Sequence, residues 1–389
     1  MTVVGGGSAE RPWNPQRQRS ANERLLLDRL RTGGPASRAQ LARDTGLSKP
    51  TVSSALAALA QAALVREAGT HSPERGRTSV LYSPDPTAGY ALGIDIGRGW
   101  VRVALADLDA TVVARSAVRN DARGSGALAD LVVGAARGLV ERSDADPAKV
   151  THAVVGTPGV YDEASRRVRY ARNLPGWGRP GLADRMGDGL GLPVAFHNDA
   201  NLAALGEYTF GVGASSRVFL YLMIGTGLGM GIVTDGRIFT GAHGGAGEIG
   251  FLPWAGRPRG TNAEAVASAE AVVAAARERG MTGPLTAADV FDAARARVPA
   301  AVEAVEAEGE HLALIVSAVS AVLDPDLVVL GGGLGQSADL LLPTVRRALR
   351  TLTPLRPKVT AGVLGEDAVL MGAVATALDA ARDMAYQRR

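Results

Sequence analysis

Asp95 closes the apolar run Tyr90-Ala-Leu-Gly-Ile-Asp-Ile-Gly97 and stands two residues before a glycine. A carboxylate at the end of a buried strand, beside a glycine turn, has the chemistry to hold a magnesium ion and the phosphates it accompanies. Two later segments share this strand-then-glycine build. Residues 219–233 contain Gly225, Thr226 and Gly227, and residues 327–334 contain Gly331, Gly332 and Gly333. One such loop alone is no more than the turn of a hairpin. Three of them, spaced along an α/β chain, are the parts of a nucleotide site. A second chemistry lies nearer the N-terminus. Ser48, Lys49, Thr51, Ser53 and Ser54 are small or polar groups at helical spacing, of the kind that meets base edges and phosphates.

Those five residues need two short helices around a tight turn to present them. Ser37 is placed to cap the first helix, Leu41 and Ala42 give it an apolar face, and Gly46 ends it. Ser48 caps the second, and Pro50 is tolerated in a first turn that has no intrahelical amide bond to lose. Val52, Leu56 and Leu59 recur at helical spacing and point inward. This is the layout of a helix-turn-helix in which the second helix lies in a major groove. Strands at 64–67 and 79–82 then flank a turn-rich stretch carrying Arg75 and Arg77, a wing whose arginines reach phosphates or a narrow minor groove. Residues 20–83 are therefore read as a winged helix-turn-helix. Residues 1–19 are read as a disordered arm and 84–89 as a linker to a module over 90–389.

Charge agrees with that division. Residues 1–85 hold 12 Lys+Arg against 7 Asp+Glu, a net of +5 in a chain whose total is +3, so the remainder carries −2. The basic excess sits where a polyanion would be met. With 389 residues, 46% apolar content and 49 glycines, the chain can build two or three domains of α/β type. No apolar run approaches the roughly 20 residues that span a bilayer, and residues 312–323 read as a buried helix instead. Absence of cysteine excludes disulfides and thiolate metal sites and is compatible with the cytoplasm, the expected location. Aromatic residues, at 4%, are too few for a single-strand stacking platform.

From Tyr90 onward the chain resembles the ROK family of repressors and sugar kinases. The resemblance rests on Gly93-Ile-Asp-Ile-Gly97, Gly156-Thr-Pro-Gly159, Asn198-Asp-Ala-Asn-Leu-Ala-Ala-Leu-Gly-Glu207, Gly225-Thr-Gly-Leu-Gly-Met-Gly231, Gly241-Ala-His-Gly-Gly-Ala-Gly-Glu-Ile-Gly250 and the triple glycine 331–333. It implies a two-lobed actin-like, sugar-kinase fold. A winged helix-turn-helix ahead of that module is similar to the repressor branch, which includes regulators of xylose and N-acetylglucosamine use. By the same resemblance Asn173, Asn198, Asp199, Glu248 and Glu264 are sugar-binding positions, and Asp199 matches the general base of the kinases. Amides and carboxylates suit vicinal hydroxyls. On its own chemistry the Asn198-Asp199 pair also caps the helix that follows, and a carboxylate can do both. His197 and His243 are read as structural.

Departures from the family pattern bear on activity. Kinases of the family carry Asp-x-Gly-Gly-Thr followed by Lys or Arg, whereas this chain has Asp95-Ile-Gly-Arg-Gly-Trp100. Arg98 adds bulk where a backbone approaches phosphate, and Gly99 lacks the threonine hydroxyl. The glycine loops are therefore read as a vestigial nucleotide site, Asp199 as a vestigial base, and no cofactor is expected. The family zinc motif is also absent, with Phe251 at the histidine position, so no metal is expected; packing by Phe251, Leu252 and Trp254 is expected to hold that loop over the cleft. The leading expectation is a DNA-binding regulator, a homodimer or homotetramer on a palindromic operator, that responds to a sugar effector and does not meet a membrane. The alternatives are an ATP-dependent sugar kinase with a DNA-binding arm and a sugar-independent DNA-binding protein.

Overall fold

The computed structural model describes residues 15–72, 78–169, 177–179, 181–256 and 258–388. These form two compact units, one of residues up to Gly89 together with the stretch from Arg382, the other of Tyr90–Ala381. In the first, α1 (Pro15–Gly33) is followed by β1 (Ala36–Ser37), α2 (Arg38–Thr45), α3 (Lys49–Gln61), β2 (Val65–His71) and β3 (Ser79–Pro84). Ser37 Oγ accepts from the Gln40 amide at 3.3 Å, Gly46 takes φ +71, and Ser48 Oγ accepts from the Thr51 amide at 3.3 Å. Leu26 and Leu30 of α1 are buried with Leu41, Val52, Leu56 and Leu59. The strands pair in the order β1-β3-β2, all antiparallel. Helix-turn-helix and wing strands thus fold as expected. The wing arginines Arg75 and Arg77 lie outside the described residues.

Two boundaries differ from expectation. Residues 15–19 belong to α1 rather than to a disordered arm. Their Gln and Arg composition carries no apolar stripe, so it cannot be told from that of a disordered segment. The linker is also structured. Pro84 still pairs with Val65, and Asp85 Oδ1 caps a 3-10 turn over Pro86–Ala88 by accepting from the Thr87 amide at 2.9 Å.

The second unit begins with β4 (Tyr90–Ile96), β5 (Trp100–Asp107), β6 (Val112–Arg119), α4 (Ser125–Glu141) and β7 (Val150–Thr157). A small hairpin, β8 (Val160–Asp162) and β9 (Arg167–Arg169), precedes α5 (Leu182–Leu190), β10 (Val194–Asn198) and α6 (Asp199–Phe210). Then come β11 (Val218–Ile224), β12 (Leu228–Thr234), β13 (Arg237–Ile238), α7 (Ala269–Glu278), α8 (Ala287–Arg295) and α9 (Pro299–Leu323). The chain ends with β14 (Leu327–Gly331), α10 (Gly332–Gly335), α11 (Ala338–Leu352), β15 (Lys358–Ala361) and α12 (Ala368–Gln387), whose residues from Arg382 group with the first unit.

These strands build two sheets of the same design. The first runs β10-β7-β4-β5-β6 and the second β15-β14-β11-β12-β13. In each, a three-strand antiparallel meander is extended by two strands parallel to its first member. The unit is therefore a pair of topologically equivalent lobes, the two-lobed α/β fold expected. One apolar core lies on the first sheet and includes Ile94, Val103, Val155 and Trp177; the other lies on the second and includes Leu222, Ile232, Leu330 and Leu312 of α9. Between them α6 and α12 cross closely. A Cβ on Gly206 would stand 2.3 Å from the Ala368 carbonyl oxygen, and one on Gly372 would stand 1.8 Å from that of Leu202. Among the described residues no helix is long and apolar enough to cross a membrane.

Candidate functional site

Equivalent corners of the two lobes converge on one cleft. The β4–β5 turn brings Gly97 and Arg98, and its counterpart, the β11–β12 turn, brings Gly225, Thr226 and Gly227. Asn198 and Asp199 stand where β10 passes into α6, and Glu248 and Glu264 come from the segment between β13 and α7. Together with Gly332 and Gly333 these residues line a cavity of about 340 Å³. These eleven positions, all singled out in the sequence, thus share one space. Asn173 lies outside the described residues. Trp177, four residues on, is buried and donates its indole N–H to Thr157 Oγ1 at the end of β7.

The acidic side of the cavity is held by backbone. Asn198 is the N-cap of α6. Its Oδ1 accepts from the Asn201 amide at 3.0 Å and its Nδ2 donates to the Gly159 carbonyl at 3.2 Å. Asp199 Oδ1 accepts from the Ala200 amide at 2.8 Å, while burial pushes its carboxyl up to about 6. Glu248 is also raised, first by burial and then by the charges of Asp199 and Glu264. Glu264 is anchored, its Oε2 accepting from the Leu228 amide at 3.2 Å. Crowded carboxylates of this kind accept hydrogen bonds from hydroxyl groups, and one with a raised pKa can take up a proton near neutrality.

The side expected from the sequence to meet phosphate reads differently. Asp95 is buried at the end of β4, but Arg102 Nη1 lies 3.4 Å from its Oδ2, and the second guanidinium nitrogen donates to Glu366. Burial raises Asp95 to about 7, against the lowering influence of Arg102. The β4–β5 turn is closed by the Gly97 amide on the Trp100 carbonyl, and Asn120 Nδ2 donates to the Gly97 carbonyl. Trp100, at the family's basic position, lies under the Arg119 guanidinium. The triple glycine serves packing as well as the cleft. A Cβ on Gly331 would stand 2.0 Å from the Tyr221 hydroxyl. Gly332 takes φ +74 against the Ile224 backbone, and its amide donates to that same hydroxyl at 3.0 Å.

One cleft residue, Asn201, and the partner of Asp95, Arg102, are not evident from sequence. Asn201 lines the cavity, is 5% exposed, and its Oδ1 has no hydrogen-bond partner among the described residues. Arg102 is hidden among strand residues. Its one signal is alternation, since it shares a sheet face with Asp95 across the hairpin. One packing expectation fails. Phe251 and Leu252 are each 40% exposed, and only Trp254 packs against the core, edge-on to His311. The turn is instead held by backbone, with Phe251 N on the Glu248 carbonyl and Ala263 N on that of Leu252. His243 is exposed, whereas His197 is largely shielded and its pKa is lowered by burial.

In the first unit Lys49, Ser53 and Ser54 are exposed on α3. Thr51 is half-buried, and its hydroxyl is within 2.8 Å of Ser48 Oγ, so the two residues close the helix start together.

Comparison with known proteins places this geometry. The xylose repressor of Bacillus subtilis (strain 168) is 28% identical over 234 residues, 60% of this chain and 60% of the repressor. The chain thus spans about 60% of the length of the curated xylose repressors from Bacillus that it matches. A glucokinase of Thermotoga maritima is 29% identical over 309 residues, 72% of this chain and 95% of the kinase. A crystal structure of a ROK family transcriptional regulator, a homologue of the E. coli MLC protein, matches with a TM-score of 0.78. It has 22% identity and covers 95% of this chain and 98% of that one. A ROK glucokinase from Streptomyces griseus, in complex with glucose and AMPPNP, matches with a TM-score of 0.65 and 26% identity, over 75% of this chain and 100% of the kinase. Residues 91–380 match the ROK family as a whole, and the chain belongs to that family.

Proposed function

We propose that this protein is a sequence-specific, double-stranded-DNA-binding transcriptional regulator, acting as a repressor, whose DNA affinity responds to a sugar or sugar derivative in the cleft. The observation that carries the reading is a contrast within one chain. A capped recognition helix presents Lys49, Ser53 and Ser54, while the cleft keeps Asn198, Asp199, Glu248 and Glu264 on the polyol side and commits Asp95 to Arg102 on the phosphate side. The helix reads only a few base pairs, so a homodimer or homotetramer on a palindrome supplies the rest of the specificity. A ligand shifts DNA affinity only through unequal binding to two conformations. Closure of the lobes around a sugar is the two-state element.

The test is fluorescence anisotropy on an operator selected from random duplexes, with and without a panel of monosaccharides and phosphosugars. One sugar should change the apparent Kd, and Asp199→Ala and Glu248→Ala should abolish that change while keeping DNA affinity. Equal responses in the wild type and both variants would remove the cleft from the mechanism. A second reading is a sugar kinase with a DNA-binding unit, favoured by the raised pKa of Asp199, which suits a general base. Sugar-dependent ADP release that disappears in Asp199→Asn would establish it. A third, a sugar-independent DNA-binding protein, is favoured by the apolar Phe251 at the cleft. It predicts no heat of binding with any sugar of the panel.

A further inference from the structure

Asp95 and Arg102 are direct register partners in the antiparallel β4–β5 pair. Cross-strand partners share a sheet face and stand within side-chain reach, so the hairpin itself aims Arg102 at Asp95. Arg102 Nη1 is 3.4 Å from Asp95 Oδ2, with the side chains 21% and 8% exposed, and its other nitrogen bonds Glu366. Asp199 adds its negative field to the same spot. Two carboxylates, Asp95 and Glu366, therefore meet a single guanidinium at the end of β4.

In a nucleotide-binding cleft this strand-end carboxylate serves a divalent cation, which neutralises the phosphates. Here the positive charge is built into the chain. The turn departs in the same direction, since Arg98 lines the cavity and Gly99 has no hydroxyl to offer an ion. Among the described residues no three His, Asp or Glu groups are arranged to hold a metal.

We propose that the guanidinium of Arg102 takes the place of the divalent cation at Asp95, so that the phosphate end of the cleft is closed by an internal ion pair and accepts no metal-bound nucleotide. The pair also extends beyond the strand. Glu366 belongs to the 3-10 turn Gly365–Asp367 that precedes α12, and the adjacent Asp367 pairs with Arg115 of β6. Arg102 and Arg115 thus tie the first sheet to that turn. The acidic polyol side is untouched. The inference stands independently of whether a sugar modulates DNA binding.

The test is Mn²⁺ binding to the full-length protein, followed by electron paramagnetic resonance at about pH 8, where a released carboxylate is ionised. Wild type should bind no Mn²⁺ that depends on Asp95. Arg102→Met, which keeps the apolar stem, should bind one Mn²⁺ per chain at millimolar concentration, and Asp95→Asn combined with it should bind none. Arg102→Gln is read in the same way if Arg102→Met does not fold. Stoichiometric Mn²⁺ on the wild type, lost in Asp95→Asn, overturns the proposal. So do folded Arg102 variants that take no ion. If both Arg102 variants unfold, recovery of the fold in Asp95→Asn/Arg102→Met supports charge compensation at Asp95. Failure to recover it overturns the proposal in favour of packing.

Discussion

The Tyr386 hydroxyl lies 2.8 Å from the Ser20 carbonyl and 3.2 Å from the Glu23 carboxylate, joining positions 366 residues apart within the first unit. The last turn of α12 is therefore structural material for the helix-turn-helix unit. Arg24 strengthens the same corner, reaching Asp383 at 3.4 Å and covering the Tyr386 ring.

Tyr386→Phe should cost the first unit about 1 kcal/mol, the value of one hydrogen bond. Tyr386→Ala, which empties a buried aromatic site, should cost about 3–5 kcal/mol. Hydrogen exchange of amides in α1 and α3 reads both. Unchanged protection of Leu26 and Leu30 in Tyr386→Ala would refute the structural role of that turn.

Under the proposed function, residues 48–54 divide into three tasks. Ser48→Ala should cost about 1 kcal/mol of stability through the lost N-cap. Lys49→Ala should weaken binding to all duplexes alike and lower the slope of log K against log salt by about 1. Ser53 and Ser54 face outward, so their substitution should change preference at single base pairs, by about 1–3 kcal/mol each. Thr51, occupied with Ser48, should behave as a capping residue. Titrations at several salt concentrations against a randomised operator library distinguish the three.

Much of this architecture is legible in the amino-acid sequence, and the reason is locality. Caps at Ser37 and Ser48, the left-handed Gly46 and the spacing of Leu56 and Leu59 act within a turn or two of themselves. The strand-and-glycine segments around Asp95 and Gly225 are likewise self-contained. Arg102 depends on hairpin register and on Glu366, 264 residues away, so strand alternation is its one local signal. Asn201 sits within a helix whose apolar neighbours mask one buried amide. Phe251 does line the cleft, as its place in the motif implies, but it does not pack as its apolar character suggests. Residue type alone does not separate an apolar group in a core from one at a cavity mouth.

Two buried carboxylates, Asp95 and Asp199, contribute a pH dependence of definite sign to the second unit. Asp199 is raised to about 6 and Asp95 to about 7, whereas in the unfolded chain both titrate near about 3.9. The native state thus binds more protons than the unfolded state between those limits. This contribution to stability is fully present below about pH 4, falls as pH rises to about 7, and is lost above it. Asp199→Asn should flatten the part ending near pH 6, and Asp95→Asn the part ending near pH 7. Thermal unfolding across that window checks the sign, and a wild-type second unit that gains stability from these groups as pH rises would refute it.

Phe251 offers the most direct handle on the ligand. It follows Glu248 by three residues, lines the cleft with 40% of its surface exposed, and offers no hydrogen-bonding atom to a polyol. An imidazole there adds a donor and an acceptor at little cost in packing, because the ring makes no large contribution to the core. One added hydrogen bond of about 1 kcal/mol corresponds to roughly fivefold in affinity. Phe251→His should therefore tighten binding of the responsive sugar about fivefold by calorimetry, with the melting temperature unchanged. Adding Asp199→Asn should erase binding in either background, since Asp199 is the proposed charged acceptor of the same cavity. If Phe251→His leaves the affinity where it was, the sugar does not extend to the turn Ile249–Phe251 and is held by the α6 end of the cleft alone.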